Sequence, residues 1–146
     1  MRSKSHKIAV WLGWLGAIPF VASAWMSFAN DPAIILLSAE LASRYGLAIV
    51  IFLGSIHWGL AMADQSYSSS LRYLWSVTPA LIATIVFFLE PSSSLTIVIG
   101  LLIICWGVDM MFHLNTAMPA WYSRLRHGLT LTAVISLTIV AVRVPI

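Results

Sequence analysis

Residues 95–112 read LTIVIGLLIICWGVDMMF, an apolar run in which Asp109 is the only charged residue. A run of this length can cross the hydrocarbon core of a bilayer as an α-helix. Lipid offers no hydrogen-bond partners to a bare backbone, so the helix is the conformation that satisfies every peptide group within the segment. The run therefore predicts an integral-membrane protein.

The rest of the chain has the same character. Of its 146 residues, 60% are hydrophobic and 9% are charged, and the mean hydropathy is +0.94. Soluble domains are about half apolar and about one-quarter charged. The composition therefore excludes a soluble globular domain, a disordered segment and a nucleic-acid-binding module, and it makes the lipid bilayer the main surroundings of the chain. The single cysteine, Cys105, excludes an internal disulfide and a thiolate zinc site.

Four further apolar runs predict a single all-α domain over residues 1–146, a polytopic membrane helical bundle of about five transmembrane helices. Clusters of proline, serine and asparagine separate the runs. We expect the stretch 31–43 to form a short separate helix at the membrane surface, because Pro32 and Glu40 limit its apolar part. The predicted spans are 8–29, 45–63, 73–89, 95–112 and 128–144.

The first run has two interpretations. Basic residues before it and a small-x-small site at 22–24 are also found in secretory signal peptides. The apolar stretch from Ile8 to Ala29 is long enough to span, however, and we expect an uncleaved helix that Pro19 kinks.

Arginine and lysine predict the orientation N-in, C-out. Positive residues concentrate in the cytoplasmic loops of membrane proteins. With the N-terminus inside, only Arg44 and Arg143 lie outside, and the remaining basic residues are cytoplasmic: Arg2, Lys4, Lys7, Arg72, Arg124 and Arg126.

Ionisable side chains converge on this predicted cytoplasmic side. His57 lies in the second run, Asp109 near the end of the fourth, and Arg124 and Arg126 in the loop before the fifth. We expect Asp109 to pair with Arg124 or Arg126, because an unpaired carboxylate in a membrane is costly. For His57 two roles stay open: a hydrogen bond that holds neighbouring helices together, or contact with a ligand or proton.

The sequence contains no spacing typical of a catalytic site, a phosphate-binding loop or a metal site. We therefore predict that the protein is not an enzyme and binds no metal, and we predict no cofactor. A haem held by His57 and His113 remains an alternative, which their different depths in the two runs disfavour.

Several motifs carry a resemblance. They are Gly13-x-x-Gly16-x-Ile18-Pro19-Phe20, Tyr45-Gly46, Phe52-Leu53-Gly54-Ser55-Ile56-His57-Trp58-Gly59, Asp109, and Pro119-x-Trp121-Tyr122-x-x-Leu125-Arg126-x-x-Leu129-Thr130. Together they resemble a proteobacterial family of unknown function, of the DUF3429 type, that also includes mitochondrial transmembrane protein 69. The resemblance covers nearly the whole chain. It implies a multi-pass protein of the bacterial inner membrane, or of the mitochondrial inner membrane in a eukaryote, and it implies no activity. The functional positions it implies are Gly54, His57, Trp58, Gly59, Asp109, Trp121, Tyr122 and Arg126.

Two functions remain open from the sequence. The first is a non-catalytic accessory or assembly component that contacts other membrane protein subunits. The second is a binding protein for a small molecule, such as a quinone, a haem or a lipid headgroup, with its site on the cytoplasmic side around His57 and Asp109. Trp106 and Arg124 complete the residues that we expect to contact a ligand or partner.

Overall fold

The computed structural model of the protein describes residues 2–63, 69–114 and 120–144. Within these ranges the chain forms helices and no strands, which confirms the predicted all-α bundle. The helices are α1 (Arg2–Leu15), α2 (Ile18–Met26), α3 (Pro32–Ala63), α4 (Ser69–Val86), α5 (Pro91–Leu114) and α6 (Ala120–Arg143).

The helices agree with a multi-pass membrane protein. In the described part of the chain, four stretches are long and apolar enough to cross a bilayer. The helix Ser70–Val86, which corresponds to the predicted third span, is apolar but shorter. The four long stretches are His6–Met26, Pro32–Ala63, Pro91–Phe112 and Trp121–Arg143.

The first span is broken in its middle. α1 ends at Leu15, α2 begins at Ile18, and Pro19 lies in the first turn of α2. Proline lacks an N–H and its ring clashes with the preceding turn, so the regular hydrogen-bond ladder stops here. The Tyr45 hydroxyl of α3 donates to the Gly16 carbonyl over 2.7 Å, which satisfies a backbone group at the break.

The prediction of a separate helix over residues 31–43 is wrong. Pro32–Ala63 is one continuous helix, about 48 Å long at 1.5 Å per residue. Its N-terminus is capped by Asp31, whose Oδ1 accepts from the Ala33 N–H over 2.9 Å. Glu40 interrupts the apolar pattern but not the backbone hydrogen bonds of the helix. Hydropathy therefore indicates a boundary near Glu40 at which the helix does not end.

The last helix begins before residue 128, the predicted start of the last span. α6 begins at Ala120, so Arg124 and Arg126, expected in a loop, lie in its first turns. The apolar run and the helix have different limits here, because Arg126 has a partner inside the bundle and needs no exposure to water.

α3 is the central helix of the bundle, since it packs against α2, α4, α5 and α6. The first span runs alongside α6: Trp14 lies against Gly128, and Arg143 Nε donates to the Ser27 carbonyl over 3.2 Å. Both spans therefore run in the same direction, and the ends of the described chain lie at opposite ends of the bundle. Which end faces the cytoplasm stays a prediction.

Two glycines set how closely the neighbours of α3 approach. A Cβ atom on Gly46 would lie 2.5 Å from Val98 Cγ1 of α5, and one on Gly54 would lie 2.8 Å from the Ser76 carbonyl oxygen of α4. Both distances are shorter than van der Waals contact. Small residues at helix crossings allow such packing in membrane proteins, so α4 and α5 are held tightly against α3.

Candidate functional site

Three ionisable side chains from three helices meet inside the bundle. His57 Nε2 of α3 lies 2.8 Å from Asp109 Oδ1 of α5, and Arg126 Nε of α6 donates to Asp109 Oδ2. His57 is 2% exposed, and Asp109 and Arg126 are each 6% exposed. We call these three side chains the buried triad. Of the two predicted partners for Asp109 the structure therefore selects Arg126, while Arg124 is exposed.

Further groups surround the buried triad. Arg126 Nη1 donates to the Thr130 hydroxyl over 3.0 Å, one turn along α6. On the other side the His57 ring lies 5.1 Å from the Phe112 ring, which also contacts the guanidinium of the buried Arg72 at 4.9 Å. The buried triad thus continues toward α4 through an aromatic ring and a second cation.

The hydrogen bonds of the buried triad leave specific atoms unused. Both carboxylate oxygens of Asp109 have partners, and the charges of Asp109 and Arg126 cancel. In the described part of the chain, His57 Nδ1 and Arg126 Nη2 are buried and have no hydrogen-bond partner. A buried donor without a partner costs free energy, so Nη2 is a place where a further acceptor would be stabilising.

A cleft adjoins the buried triad on the side of Arg126. Its volume is about 360 Å³, and its walls come from α1, α2, α3 and α6, with Leu102 of α5 at its base. The walls are almost entirely apolar apart from three side chains on α6: Tyr122, Arg126 and Thr130. His57 and Asp109 do not line the cleft, because they lie behind Arg126.

The break in the first span explains why the cleft exists. α2 packs against both α3 and α6, whereas α1 packs mainly against α6. A Cβ atom on Gly13 of α1 would meet Leu125 and Leu129 of α6 as its nearest atoms. α1 therefore diverges from α3 beyond the break, and the cleft lies between them.

The buried triad differs from a Ser–His–Asp arrangement. There the second imidazole nitrogen contacts a hydroxyl or thiol nucleophile, whereas in the described residues the buried His57 Nδ1 has no hydrogen-bond partner. The same ranges hold no group of three or more histidine, cysteine, aspartate or glutamate side chains able to bind a metal. The arrangement can join three helices electrostatically and can orient Arg126 at the cleft wall.

The predicted site residues fall into separate places. His57, Asp109 and Arg126 form the buried triad, and Trp121 and Tyr122 line the cleft with Arg126. Gly54 and Trp58 face α4 instead, where the Trp58 ring contacts Tyr73 at 5.1 Å.

The remaining predicted site residues lie away from the cleft. Trp106 donates from Nε1 to His127 Nδ1 over 3.4 Å. Gly59 and Arg124 are exposed, and a Cβ atom on Gly59 would meet nothing within 4 Å. His113 lies in α5, but its side chain falls outside the described residues, so the haem alternative stays untested.

Sequence reasoning missed several members of the site. Thr130 follows Arg126 by four residues, and this helical spacing would have indicated the hydrogen bond had the start of α6 been known. Arg72 and Phe112 offered no such signal, because their contact joins two different helices. The cleft itself depends on the direction of α1 relative to α2 across the break, and no residue pattern specifies this direction.

Comparison with known proteins gives a family and curated relatives. A family model described as "Protein of unknown function (DUF3429)" matches residues 5–142. The chain is 29% identical over 140 residues to "Transmembrane protein 69" of Xenopus tropicalis, an alignment that covers 90% of this chain. It covers 52% of the relative, so the chain spans about half the length of that protein. No solved structure matches.

Proposed function

The chain belongs to the DUF3429 family, a family of unknown function, and we propose that it is a non-catalytic membrane protein that binds a small apolar molecule in the cleft. Ligand pockets are commonly concave and mostly apolar, with a few polar groups that orient the ligand. The cleft has this character, with Tyr122, Arg126 and Thr130 as its polar side chains.

The observation that carries the proposal is the position of Arg126. It belongs at once to the buried triad and to the cleft wall. The hydrogen bond from Nε to Asp109 fixes the Arg126 guanidinium, so a ligand that binds against Arg126 would cost little further side-chain entropy. We therefore assign binding to the cleft and a positioning role to His57 and Asp109.

Native mass spectrometry of the purified protein, with analysis of the extracted lipids, tests this proposal. The wild-type protein should retain a bound small molecule in mild detergent. Ala133→Phe places a ring in the cleft, because Ala133 is a buried wall residue far from the buried triad. The matched control is Leu131→Phe on the exposed face of the same helix.

We expect the bound molecule to be lost from Ala133→Phe and kept in Leu131→Phe. Both variants should elute as folded protein in size-exclusion chromatography. If the wild type carries nothing that Ala133→Phe lacks, the cleft is not a binding site and the proposal is wrong.

The second candidate is an accessory or assembly component of a larger membrane complex. It is favoured by exposed aromatic side chains on the first span, since Trp11 is 73% and Trp25 is 81% exposed. Tryptophan is enriched at protein interfaces. Under this proposal, Trp25→Ala would release co-purifying subunits, whereas Phe88→Ala, an equally exposed aromatic change on the other side of α3, would not.

Both candidates share a location and an orientation. We propose a bacterial inner membrane, or a mitochondrial one in a eukaryote, with the N-terminus on the cytoplasmic or matrix side, which rests on the excess of basic residues at that end. We propose no nucleic-acid partner, and no cofactor other than the molecule bound in the cleft.

A further inference from the structure

The two ends of the cleft differ in chemistry. Trp121, Tyr122 and Arg126 lie at one end of its α6 wall, and Ala133 lies at the other. From Tyr122 to Ala133 the wall extends about 16 Å at 1.5 Å per residue. Apart from Thr130 the wall between them is apolar, including Leu125 and Leu129. A molecule that fills the cleft therefore needs one polar end and a long apolar part.

The polar end offers donors without an excess of charge. Arg126 supplies N–H groups, of which Nη2 is unused in the described residues. The positive charge of Arg126 is balanced by Asp109, with which it pairs directly, and the second buried cation, Arg72, does not line the cleft. An anion entering here would lose its hydration and face the Asp109 carboxylate behind Arg126, which is costly. An uncharged oxygen acceptor avoids both costs.

The apolar end fits an alkyl or prenyl chain. Phe20, Leu53 and Leu102 are buried side chains that form the cleft wall away from Arg126. The cleft lies between α1 and α3, and in the described residues α1 packs mainly against α6, so we expect its opening to face the lipid between these two helices. A chain can therefore enter sideways from the bilayer without crossing the polar surface.

We infer that the cleft binds a single-chain lipid with an uncharged carbonyl head, with the carbonyl oxygen at Arg126 and Tyr122 and the chain directed toward Ala133. The inference rests on the proposed function and specifies its ligand class. A quinone and a neutral acyl ester both provide this chemistry, and the experiment separates them.

Quenching of tryptophan fluorescence by decylubiquinone in detergent measures binding, because Trp121 lines the cleft. Methyl decanoate is the neutral ester competitor, and sodium decanoate is the anionic competitor with the same chain. Tyr122→Phe removes one hydroxyl from the polar end and preserves the ring. Its matched control is Tyr73→Phe, on α4 outside the cleft.

We expect saturable quenching of the wild type and of Tyr73→Phe with equal Kd. Tyr122→Phe should raise the Kd about five- to tenfold, as for the loss of one hydrogen bond. Ala133→Phe should reduce quenching to the level of non-specific partition into micelles. If methyl decanoate displaces decylubiquinone, the cleft accepts a neutral acyl ester as well as a quinone. If it does not, the ligand is a quinone. Sodium decanoate should not displace decylubiquinone.

Two results would overturn the inference while leaving the proposed function intact. One is stronger displacement by decanoate than by its methyl ester, which would show that the head is anionic. The other is retention of a native ligand by the wild type together with the same Kd for decylubiquinone in Tyr122→Phe and in Tyr73→Phe. Loss of both ligand retention and probe binding would instead remove the proposed function itself.

Discussion

The two sides of α3 are built differently. Toward α4 and α5, a methyl group does not fit at Gly54, which lies against the Ser76 carbonyl, or at Gly46, which lies against the Val98 side chain. Toward α1, the same helix faces a cleft of about 360 Å³. One side of the bundle is therefore closed by small residues, and the other is kept open by the break at Gly16–Pro19.

The difference indicates how the bundle combines a closely packed side with a cleft. The buried triad lies at the border between the two sides: His57 and Asp109 belong to the closed side, and Arg126 reaches both. Charges inside a membrane protein need partners, and here the partners also join α3, α5 and α6. The closed side thereby fixes a donor for the open side.

The largest effect is expected from Asp109→Ala, which leaves Arg126 and His57 buried without their shared partner. Loss of one member of a buried ion pair costs about 3–5 kcal/mol, so little folded protein should accumulate. Thermal unfolding in detergent measures the change. Glu90→Ala, at an exposed carboxylate between α4 and α5, is the control and should melt like the wild type.

The combined change His57→Phe, Asp109→Leu and Arg126→Met sharpens this prediction. Replacing a whole buried charge network by apolar groups is often neutral for stability, so folding should return while ligand binding does not. Recovery of ligand binding in the triple variant would show that Arg126 does not contribute to binding in the cleft.

Gly54→Ala tests the closed side directly. The new methyl group would lie 2.8 Å from the Ser76 carbonyl and 3.0 Å from Pro79, and overpacking of this kind costs about 1–3 kcal/mol. Gly107→Ala, where a Cβ atom meets nothing within 4 Å, should be neutral or slightly stabilising, because alanine favours helix more than glycine does. Equal melting temperatures for the two variants would contradict close packing of α3 on α4.

Tyr45→Phe tests the break in the first span. It removes the 2.7 Å hydrogen bond to the Gly16 carbonyl, and the expected loss is about 0.5–1.5 kcal/mol. Tyr73→Phe serves as the control for the loss of a hydroxyl. A Tyr45→Phe protein as stable as the control would mean that the break needs no support from α3.

The smallest effect is expected from Leu12→Ala on the open side. Leu12 is 61% exposed although it borders the cleft, so truncation should cost less than about 1 kcal/mol. Leu102→Ala, at a residue 2% exposed, should cost about 2–5 kcal/mol. Comparable losses at the two leucines would show that α1 is packed as tightly as the core.

Much of the fold follows from sequence alone. Apolar runs such as 95–112 locate each helix, because a membrane leaves the backbone no other conformation. The ends of the helices do not follow in the same way. Hydropathy does not locate the starts of α3 and α6, because Glu40 and Arg126 interrupt the apolar pattern inside these helices. Asp31 caps α3 at its start, and Arg126 of α6 pairs with Asp109.

The site was predictable in part. His57, Asp109 and Arg126 were expected on one side because ionisable groups in a membrane seek partners. Which partner each would find depends on the relative rotation and depth of three helices, and sequence spacing within one helix carries no information on that. The cleft follows from the direction of α1, and this direction depends on packing around Pro19 rather than on any local motif.

Disulfide trapping in native membranes compares the two sides of α3 most directly, in a chain that carries Cys105→Ala. A Cβ atom on Gly46 lies 3.7 Å from Val98 Cβ, within the range that disulfides require. Gly46→Cys with Val98→Cys should therefore cross-link readily across the closed side. Gly13→Cys with Leu53→Cys, which line the cleft from α1 and α3, should stay reduced under the same oxidant. Equal cross-linking of the two pairs would contradict an open side and a closed side of α3.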